Sequence, residues 1–311
     1  MPVERVEKLN GHEVELSSLD KVIFPGDGVT KGDRVTKGDV IEYYRRIARV
    51  MLPHIKDHPV TMQRFTNGIG QPGFYHKEMP DYFPQWIESA KIEVLESGEI
   101  QNQVLANNEA TLVYLANQYT ITLHVWLSRG DKLWHPDRMI FDLDPPGEFE
   151  VARSTAFLVR DMLTELGLVP FVMTTGSRGL HVTVPLDRSA HFDETRDFAR
   201  DLAEHLAGQQ PDTLTTEMRK KEREGRLFLD YVRNGYAATA VAPYSVRPRP
   251  GATVATPLSW DELKDPDLRS NTYNIRNVWN RLDKVGDPWR GMEKHARGLA
   301  EARERLDRMT R

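Results

Sequence analysis

A short strand-like run that ends in two prolines constrains the fold of this chain most. Residues 138–144 read Arg-Met-Ile-Phe-Asp-Leu-Asp, and Pro-Pro follows at once. Apolar residues closed by proline predict a β-strand, because proline has no N–H to donate to a sheet. Side chains two residues apart share one face of a strand. We therefore expect Asp142 and Asp144 on one face, with Phe141 and Leu143 pointing into a core.

The two aspartates of this strand have a chemical consequence. Their backbones would lie roughly 6–7 Å apart, and carboxylates held that way repel each other unless a cation lies between them. Oxygen ligands suit Mg²⁺ or Mn²⁺, which keep waters and substrate phosphates as their other ligands. Two such metals can clamp the attacking and leaving oxygens of a phosphoryl transfer. The alternative is a strand end whose acids cap the following turn.

A third acid, Asp230, lies in the apolar run Leu-Phe-Leu-Asp-Tyr-Val at 227–232. An ionised side chain in such surroundings needs a partner. An ion pair with Arg233 or Arg226 is one solution. A three-carboxylate metal site, shared with the aspartates of the first strand, is the other.

The segment 174–181, Thr-Thr-Gly-Ser-Arg-Gly-Leu-His, stands between two predicted strands. Glycine lets a backbone approach a ligand closely, and exposed N–H groups can hold phosphate oxygens. Arg178 and His181 can add charge and hydrogen bonds. The segment does not match the phosphate-binding pattern G-x-x-x-x-G-K-[ST], and a plain hairpin turn is the alternative.

Aromatic and histidine side chains mark two further places. His124 lies in an apolar strand-like run, as either a hydrogen-bonded core residue or a ligand contact. Phe74 and Tyr75 are adjacent, so a strand cannot direct both into a core. Either one of them is exposed for base stacking, or both pack against a loop.

Composition limits the class of protein. The 311 residues include no cysteine, which excludes disulfides, zinc–thiolate sites and thiol nucleophiles. A net charge of -4 argues against a basic nucleic-acid coat protein. Between residues 217 and 249, however, eight Arg or Lys accompany four acids, as a polyanion site or a solvated face. With no run of ~18 apolar residues and no apolar stretch at the N-terminus, we expect no membrane span and no signal peptide. The absence of cysteine fits a reducing, cytoplasmic setting.

Helical and strand patterns alternate along the chain. Apolar spacing predicts helices over about 40–51 (ended by Pro53), 109–119, 153–166 and 194–207, and a charged helix over about 291–310. Strands are predicted at 138–144, 170–175, 180–185 and 226–232. This mixed order favours an α+β fold over a doubly wound one.

Four sequence blocks in order carry a family resemblance. They are FDLDPP at 141–146, TGSRGLH at 175–181, LDYVRN at 229–234 and VAPYSVRPRPGA at 241–252. Over nearly its whole length the chain resembles the polymerase domain of bacterial ligase D, of the archaeo-eukaryotic primase superfamily, and its stand-alone relatives. The resemblance implies a primase-like α+β fold with two packed β-sheet subdomains and flanking helices. We expect one domain over 1–311, with an N-terminal subdomain at about 1–135 that contacts DNA ends, a catalytic subdomain at about 136–260 and a helical extension at about 261–311.

The resemblance also implies a function. It points to a template-directed nucleotidyltransferase that adds ribo- or deoxyribonucleotides to a primer 3′-hydroxyl and fills short gaps in non-homologous end joining. It assigns two divalent metals, Mn²⁺ or Mg²⁺, to Asp142, Asp144 and Asp230. It assigns nucleotide contacts to His124, Thr175, Ser177, Arg178, Gly179, His181, Arg223 and Arg247.

Contacts to DNA follow from the same resemblance. The family holds the 5′-phosphate across a gap with two lysines and stacks aromatic rings on template bases. The residues so assigned are Lys21, Lys31 or Lys37, Phe74 and Tyr75. This chain departs from the family at Gln63, where some relatives carry a basic residue, and Arg64 beside it is expected to supply that DNA contact. The choice between Lys31 and Lys37 arises because Val-Thr-Lys-Gly-Asp occurs twice, at 29–33 and 35–39. Lys37 is preferred, because it directly precedes the helix with Tyr43 and Tyr44.

Expected partners are 5′-phosphorylated DNA ends, gapped or primer–template DNA, NTP or dNTP, a DNA ligase and an end-binding protein. The expected setting is the bacterial cytoplasm, in association with the nucleoid. Alternative functions are a primase that starts chains without a primer, a catalytically idle DNA-end-binding module, and a metal phosphohydrolase.

Overall fold

A computed structural model describes residues 3–26, 34–95 and 97–310. The first copy of the repeated segment, with Lys31, lies outside the described residues. The chain folds into two compact units. The first unit comprises Met1–Trp126, Ala240–Ala255 and Tyr273–Lys284, and the second comprises Leu127–Thr239, Thr256–Thr272 and Val285–Arg311.

Among the described residues, runs of two or four strands are separated by helices, which confirms the predicted α+β class. The helices are α1 (Lys37–Ile55), α2 (Glu109–Asn117), α3 (Phe149–Glu165), α4 (Phe192–Gln209), α5 (Val278–Val285) and α6 (Ala300–Met309). The strands are β1 (Arg5–Leu9), β2 (His12–Leu16), β3 (Val22–Phe24), β4 (Val35–Thr36), β5 (Val60–Arg64), β6 (Phe74–His76), β7 (Ser89–Glu93), β8 (Ile100–Val104), β9 (Thr120–Trp126), β10 (Arg138–Asp144), β11 (Phe171–Thr174), β12 (Leu180–Pro185), β13 (Leu214–Thr215), β14 (Leu227–Asp230), β15 (Thr239–Val241) and β16 (Thr256–Leu258). Among the described residues, no helix is long and apolar enough to cross a membrane.

The first unit is built on a four-stranded sheet in the order β15-β9-β5-β6, with α1 and α2 in contact beside it. The inner face of α1 carries Tyr43 and Tyr44, both fully buried. Tyr44 Oη donates to Ile121 O at 2.6 Å, and Tyr43 Oη donates to Tyr244 O at 2.7 Å. These bonds satisfy the two hydroxyls in the core and fix α1 against the unit.

The second unit is built on a six-stranded sheet in the order β13-β14-β10-β12-β11-β16. Its pairs are antiparallel except β13 with β14. The predicted strand at 138–144 is β10, near the centre of the sheet. Phe141 and Leu143 are fully buried, as its alternation predicts.

Helix α1 corrects one sequence prediction. Pro53 was expected to end this helix, but the helix continues to Ile55 with Pro53 inside its last turn. His54 and Ile55 are buried, so packing of the last turn holds the backbone helical despite the lost N–H. At the other end, Thr36 and Asp39 form a capping box that starts the helix at Lys37.

The C-terminal segment differs from a second sequence prediction. A continuous helix was expected over 291–310, but α6 begins only at Ala300, after a short 3₁₀ turn at Met292–His295. Between them the chain is extended at Arg297, whose N–H donates to Pro185 O and whose carbonyl accepts from Asp187 N. Backbone bonding to the end of β12 therefore replaces helix here, which charge spacing alone does not reveal.

Candidate active site

Sheet register brings two of the three predicted acids together in the second unit. Asp142 on β10 lies directly opposite Asp230 on β14, and on its other side it is paired with His181 of β12. His181 Nε2 lies 3.6 Å from Asp142 Oδ1. Asp144, two residues along β10, is half-exposed at the strand end. The predicted shared face of Asp142 and Asp144 is thus the face on which Asp230 also stands.

Two arginines pair with these carboxylates. Arg233 Nε lies 3.5 Å from Asp142 Oδ2 and 3.4 Å from Asp230 Oδ2, and Arg178 Nη2 lies 2.5 Å from Asp144 Oδ2. The ion pair of Asp230 with Arg233, one of the two sequence alternatives, is therefore present. Burial raises the pKa of Asp230, with Arg233 opposing and Asp142 adding to the rise.

The carboxylates of Asp142, Asp144 and Asp230 are the candidate metal ligands in this unit. Within the described ranges, no three His, Asp or Glu side chains are grouped so that they could hold a metal ion. In this arrangement Asp144 pairs with Arg178, and Arg233 lies near both Asp142 and Asp230. The donor chemistry itself, three carboxylates at adjoining strand positions, suits a hard divalent cation.

Asn234 positions the strand that carries Asp142, and the sequence analysis gave it no role. Its side chain is fully buried. Its Oδ1 accepts from Ile140 N at 2.8 Å, and its Nδ2 donates to Ile140 O at 2.8 Å and Tyr231 O at 3.0 Å. The amide thus replaces a strand partner and ties the turn after Asp230 to β10. Its place in the block LDYVRN was the available signal.

The predicted turn between β11 and β12 packs directly on the end of β10. Gly176 has φ +65°, and a Cβ at Gly179 would stand 2.1 Å from Leu143 O. Only glycine permits this contact. Arg178 and His181, on either side of Gly179, reach Asp144 and Asp142 respectively. The turn that was expected to hold nucleotide therefore lies against the acidic strand.

Arg223 lies in the loop before β14. Its guanidinium stands 4.1 Å from the centre of the Phe228 ring and donates to Glu217 O and Met218 O, each at 2.9 Å. The cation therefore braces the loop against β14, in the same unit as the three acids. Of the other predicted nucleotide contacts, His124 and Arg247 belong to the first unit.

A pair of lysines meets one aromatic ring in the first unit. Lys21 Nζ and Lys37 Nζ lie 5.0 and 4.5 Å from the centre of the Tyr119 ring. Backbone pairing explains the meeting, because Lys37 N donates to Lys21 O at 2.8 Å. Tyr119, which sequence reasoning did not single out, has φ +63°, a conformation unfavourable for an aromatic residue. We call Lys21, Lys37 and Tyr119 the lysine pocket.

Exposed aromatic rings lie on β6 of the same unit. Phe74 and Tyr75 are 46% and 61% exposed, so both, rather than one, face solvent. Tyr75 also meets His124 edge-on at 5.5 Å. Arg64, paired with Phe74 across the strands, is buried and donates to His76 Nδ1.

Arg64 holds the groups around β6 by hydrogen bonds. Besides His76, it donates to Gln118 O at 2.9 Å and Tyr82 Oη at 3.1 Å. Burial, with the charge of Arg64, lowers the pKa of His76, so that the neutral ring is available as acceptor. The guanidinium therefore makes its hydrogen bonds within the unit.

Comparison with known proteins gives the family. The model of the LigD primase-polymerase domain matches residues 36–289. A multifunctional non-homologous end joining protein LigD of Mycolicibacterium smegmatis is 36% identical over 289 residues, 92% of this chain and 36% of that protein. A bifunctional LigD of Bacillus subtilis is 30% identical over 280 residues, 89% of this chain and 44% of its own length. The chain thus spans less than half the length of these relatives.

A solved structure agrees. The polymerase domain of Mycobacterium tuberculosis ligase D, in complex with DNA, matches with a TM-score of 0.81 and 32% identity, over 91% of this chain and 99% of that one. Fold and sequence define the chain as a polymerase-type nucleotidyltransferase, of a class that generally depends on metal. It belongs to the LigD primase-polymerase domain family.

Proposed function

We propose that this chain fills short gaps at broken DNA ends by adding template-matched NTP or dNTP to a primer 3′-hydroxyl. The observation that carries the proposal is the convergence on β10: Asp142 opposes Asp230, and Gly179 of the turn packs on Leu143. Nucleotidyl transfer requires carboxylates beside groups that hold a triphosphate, and the position of this turn next to Asp142 supports both assignments. The relatives named for non-homologous end joining support the context of repair.

We propose Asp142, Asp144 and Asp230 as the ligands of divalent metal, Mn²⁺ or Mg²⁺, once Arg178 and Arg233 turn away. Bound metal lowers the pKa of an attacking hydroxyl and stabilises charge on a leaving pyrophosphate. The chain's own groups do the rest. The turn Thr175–His181, with Ser177 and Gly179, orients the triphosphate, and the freed guanidinium of Arg178 binds its oxygens. His124, Arg223 and Arg247 are proposed as further nucleotide contacts.

The first unit supplies the proposed contacts to DNA. The lysine pocket, two ammonium groups on one aromatic ring, suits the 5′-phosphate at the far side of a gap. The exposed rings of Phe74 and Tyr75 suit stacking on template bases. Arg64, buried beneath them, is proposed to support that surface. A DNA ligase and an end-binding protein are the partners that this role requires.

Removing either pocket lysine is expected to affect phosphorylated ends selectively. Lys21→Met and Lys37→Met keep the stem volume and remove the charge, so a phosphate loses a charge-assisted bond worth roughly 1.5–3 kcal/mol. Binding of a gapped duplex with a downstream 5′-phosphate should weaken ~10-fold or more. Binding of the 5′-hydroxyl duplex should change little. Lys56→Met, at the exposed opposite end of α1, is the control. Equal losses on both duplexes would reject the phosphate assignment.

The lysine pocket also predicts a pH dependence. Burial lowers the pKa of Lys37 to about 8, with Glu4 opposing and Lys21 adding to the fall. Lys37 is therefore charged below pH 8 and neutral above it, while a 5′-phosphate keeps its negative charge. The preference for phosphorylated over hydroxyl ends should fall between pH 7 and 9. Lys37→Arg, always charged, should flatten that fall. A preference that rises with pH would contradict the assignment.

The enzymatic proposal is tested by extension of a labelled primer on an open template, with each nucleotide supplied singly. Addition only of the nucleotide that matches the template is the expected result. A parallel reaction without primer distinguishes a primase, which would make products there as well. Release of inorganic phosphate from free nucleotide, without extension, would instead indicate a phosphohydrolase.

A further inference from the structure

Ser270 contacts the turn Thr175–His181 from a segment that the proposed mechanism does not use. It lies 91 residues beyond Gly179 in sequence, in the same unit, and is 3% exposed. We propose that Ser270 is a positioning residue for nucleotide, which acts by fixing the carbonyl of Gly179. The inference rests on the proposed function, because it takes this turn to be the nucleotide cradle.

Hydrogen bonds from two hydroxyl groups hold the backbone of Gly179. A serine hydroxyl has one proton, and Ser270 Oγ donates it to Gly179 O at 2.7 Å. Thr175 Oγ1 accepts from Gly179 N at 3.3 Å and lies 3.3 Å from Ser270 Oγ and 3.2 Å from Gly179 O, to either of which it can donate. Both hydroxyls are buried, so water does not replace either bond. Gly179 O also accepts from Thr175 N at 3.0 Å, and the bond from Ser270 is the shortest that this carbonyl accepts.

The segment that carries Ser270 is itself held in place. Arg153, buried on α3, donates through Nη2 to Leu268 O at 2.9 Å. Leu268 is buried, and Arg269 N donates to Thr272 Oγ1 at 2.8 Å. Ser270 therefore presents its hydroxyl from a fixed backbone, as a positioning group must.

A second contact of the turn explains why this tether matters. Gly179 packs on Leu143, so the turn cannot move closer to the end of β10. Ser270 holds the Gly179 carbonyl and so opposes other displacements of the turn. Arg178 and His181 flank Gly179, so any shift of the turn displaces the groups that face Asp144 and Asp142. Loss of the tether should therefore loosen nucleotide binding more than it slows the chemical step.

The test is steady-state extension of a primed template with Ser270→Ala. We expect the KM for the matched nucleotide to rise about fivefold, the equivalent of one lost hydrogen bond, with kcat nearly unchanged. Ser128→Ala is the matched control in the same unit. Ser128 is also buried and also donates to a backbone carbonyl, Leu133 O, at 2.7 Å. The KM of Ser128→Ala should equal that of the wild type. Its melting temperature should fall by about as much as that of Ser270→Ala.

A double-variant cycle tests whether Ser270 and Thr175 act together on nucleotide binding. Thr175→Val removes the neighbouring hydroxyl at constant shape. Because the two hydroxyls contact each other, the KM change of Ser270→Ala with Thr175→Val should differ from the product of the single effects. Equal KM values for Ser270→Ala and Ser128→Ala, or strict multiplication in the cycle, would overturn the positioning role. A wild-type protein that adds no template-matched nucleotide would instead overturn the proposed function.

Discussion

Replacing Asp142 with asparagine is expected to lower the rate of nucleotide addition by ~10³-fold. The side chain keeps its shape but loses the charge of the central carboxylate, between Asp230 and His181. Electrostatic stabilisation by a metal at such a site is worth several kcal/mol, and about 4 kcal/mol corresponds to that factor. The measurement is single-turnover extension of a primed template with saturating Mn²⁺ or Mg²⁺.

Binding and a matched variant separate catalysis from folding. Because the pocket for DNA ends is proposed in the first unit, Asp142→Asn should bind a gapped duplex as the wild type does. Asp131→Asn is the control, since this exposed acid of the same unit pairs with Arg188 at 2.6 Å. It should keep full activity. An Asp142→Asn protein that still extends primers at near wild-type rate would contradict the proposed three-carboxylate metal site.

Replacing Gly179 with alanine is expected to damage both stability and nucleotide binding. The added Cβ would stand 2.1 Å from Leu143 O and 3.1 Å from Asp144 Cα, and all of the nearest atoms are backbone. The strand end or the turn must then move, and overpacking of this kind costs roughly 1–3 kcal/mol or more. We expect a lower melting temperature and a KM for nucleotide raised ~10-fold or more, equivalent to about 1.4 kcal/mol.

Gly208→Ala provides the comparison for that substitution. Gly208 lies within α4, and no atom stands within 4 Å of the position of its missing Cβ. Alanine favours a helix over glycine by roughly 0.5–1 kcal/mol, so this variant should be slightly more stable and fully active. A Gly179→Ala protein with wild-type melting temperature and KM would show that the turn does not need its close contact with β10.

Local patterns predicted much of this fold. The alternation of β10 was sufficient to place Asp142 and Asp144 on the outer face and Phe141 in the core. The spacing of Val40, Tyr44, Ile47 and Met51 predicted α1 and its buried side. These features depend on residues a few positions apart, which periodicity records directly.

Contacts between distant segments were not predictable in the same way. The backbone bonds of Arg297 to the end of β12 replace a helix, although the charges there follow helical spacing. The contacts of Asn234 with Ile140 and of Ser270 with Gly179 join positions 94 and 91 residues apart. Nothing in a single sequence specifies such partners. Asn234 could have been noticed within its matched block, whereas Ser270 lies in none.

The sequence predicted which residues form the candidate site but only some of the contacts between them. The three aspartates, and the turn at Gly179, were identified from the sequence and its family resemblance. The ion pair of Asp230 with Arg233 was one of two sequence alternatives. The approach of Arg233 to Asp142 and of Arg178 to Asp144 was not predicted, because a charged side chain meets its partner only once the strands are paired. That both Phe74 and Tyr75 are exposed likewise depends on the neighbours of β6.

The most direct test of this account is nucleotide addition in a short gapped duplex, with and without a 5′-phosphate on the downstream strand. Mn²⁺ or Mg²⁺ and each ribo- and deoxyribonucleotide are supplied in turn, beside Asp142→Asn. We expect template-matched addition that needs Asp142 and is faster when the 5′-phosphate is present. No addition with either metal, while the protein still binds the duplex tightly, would contradict it and leave a DNA-end-binding module.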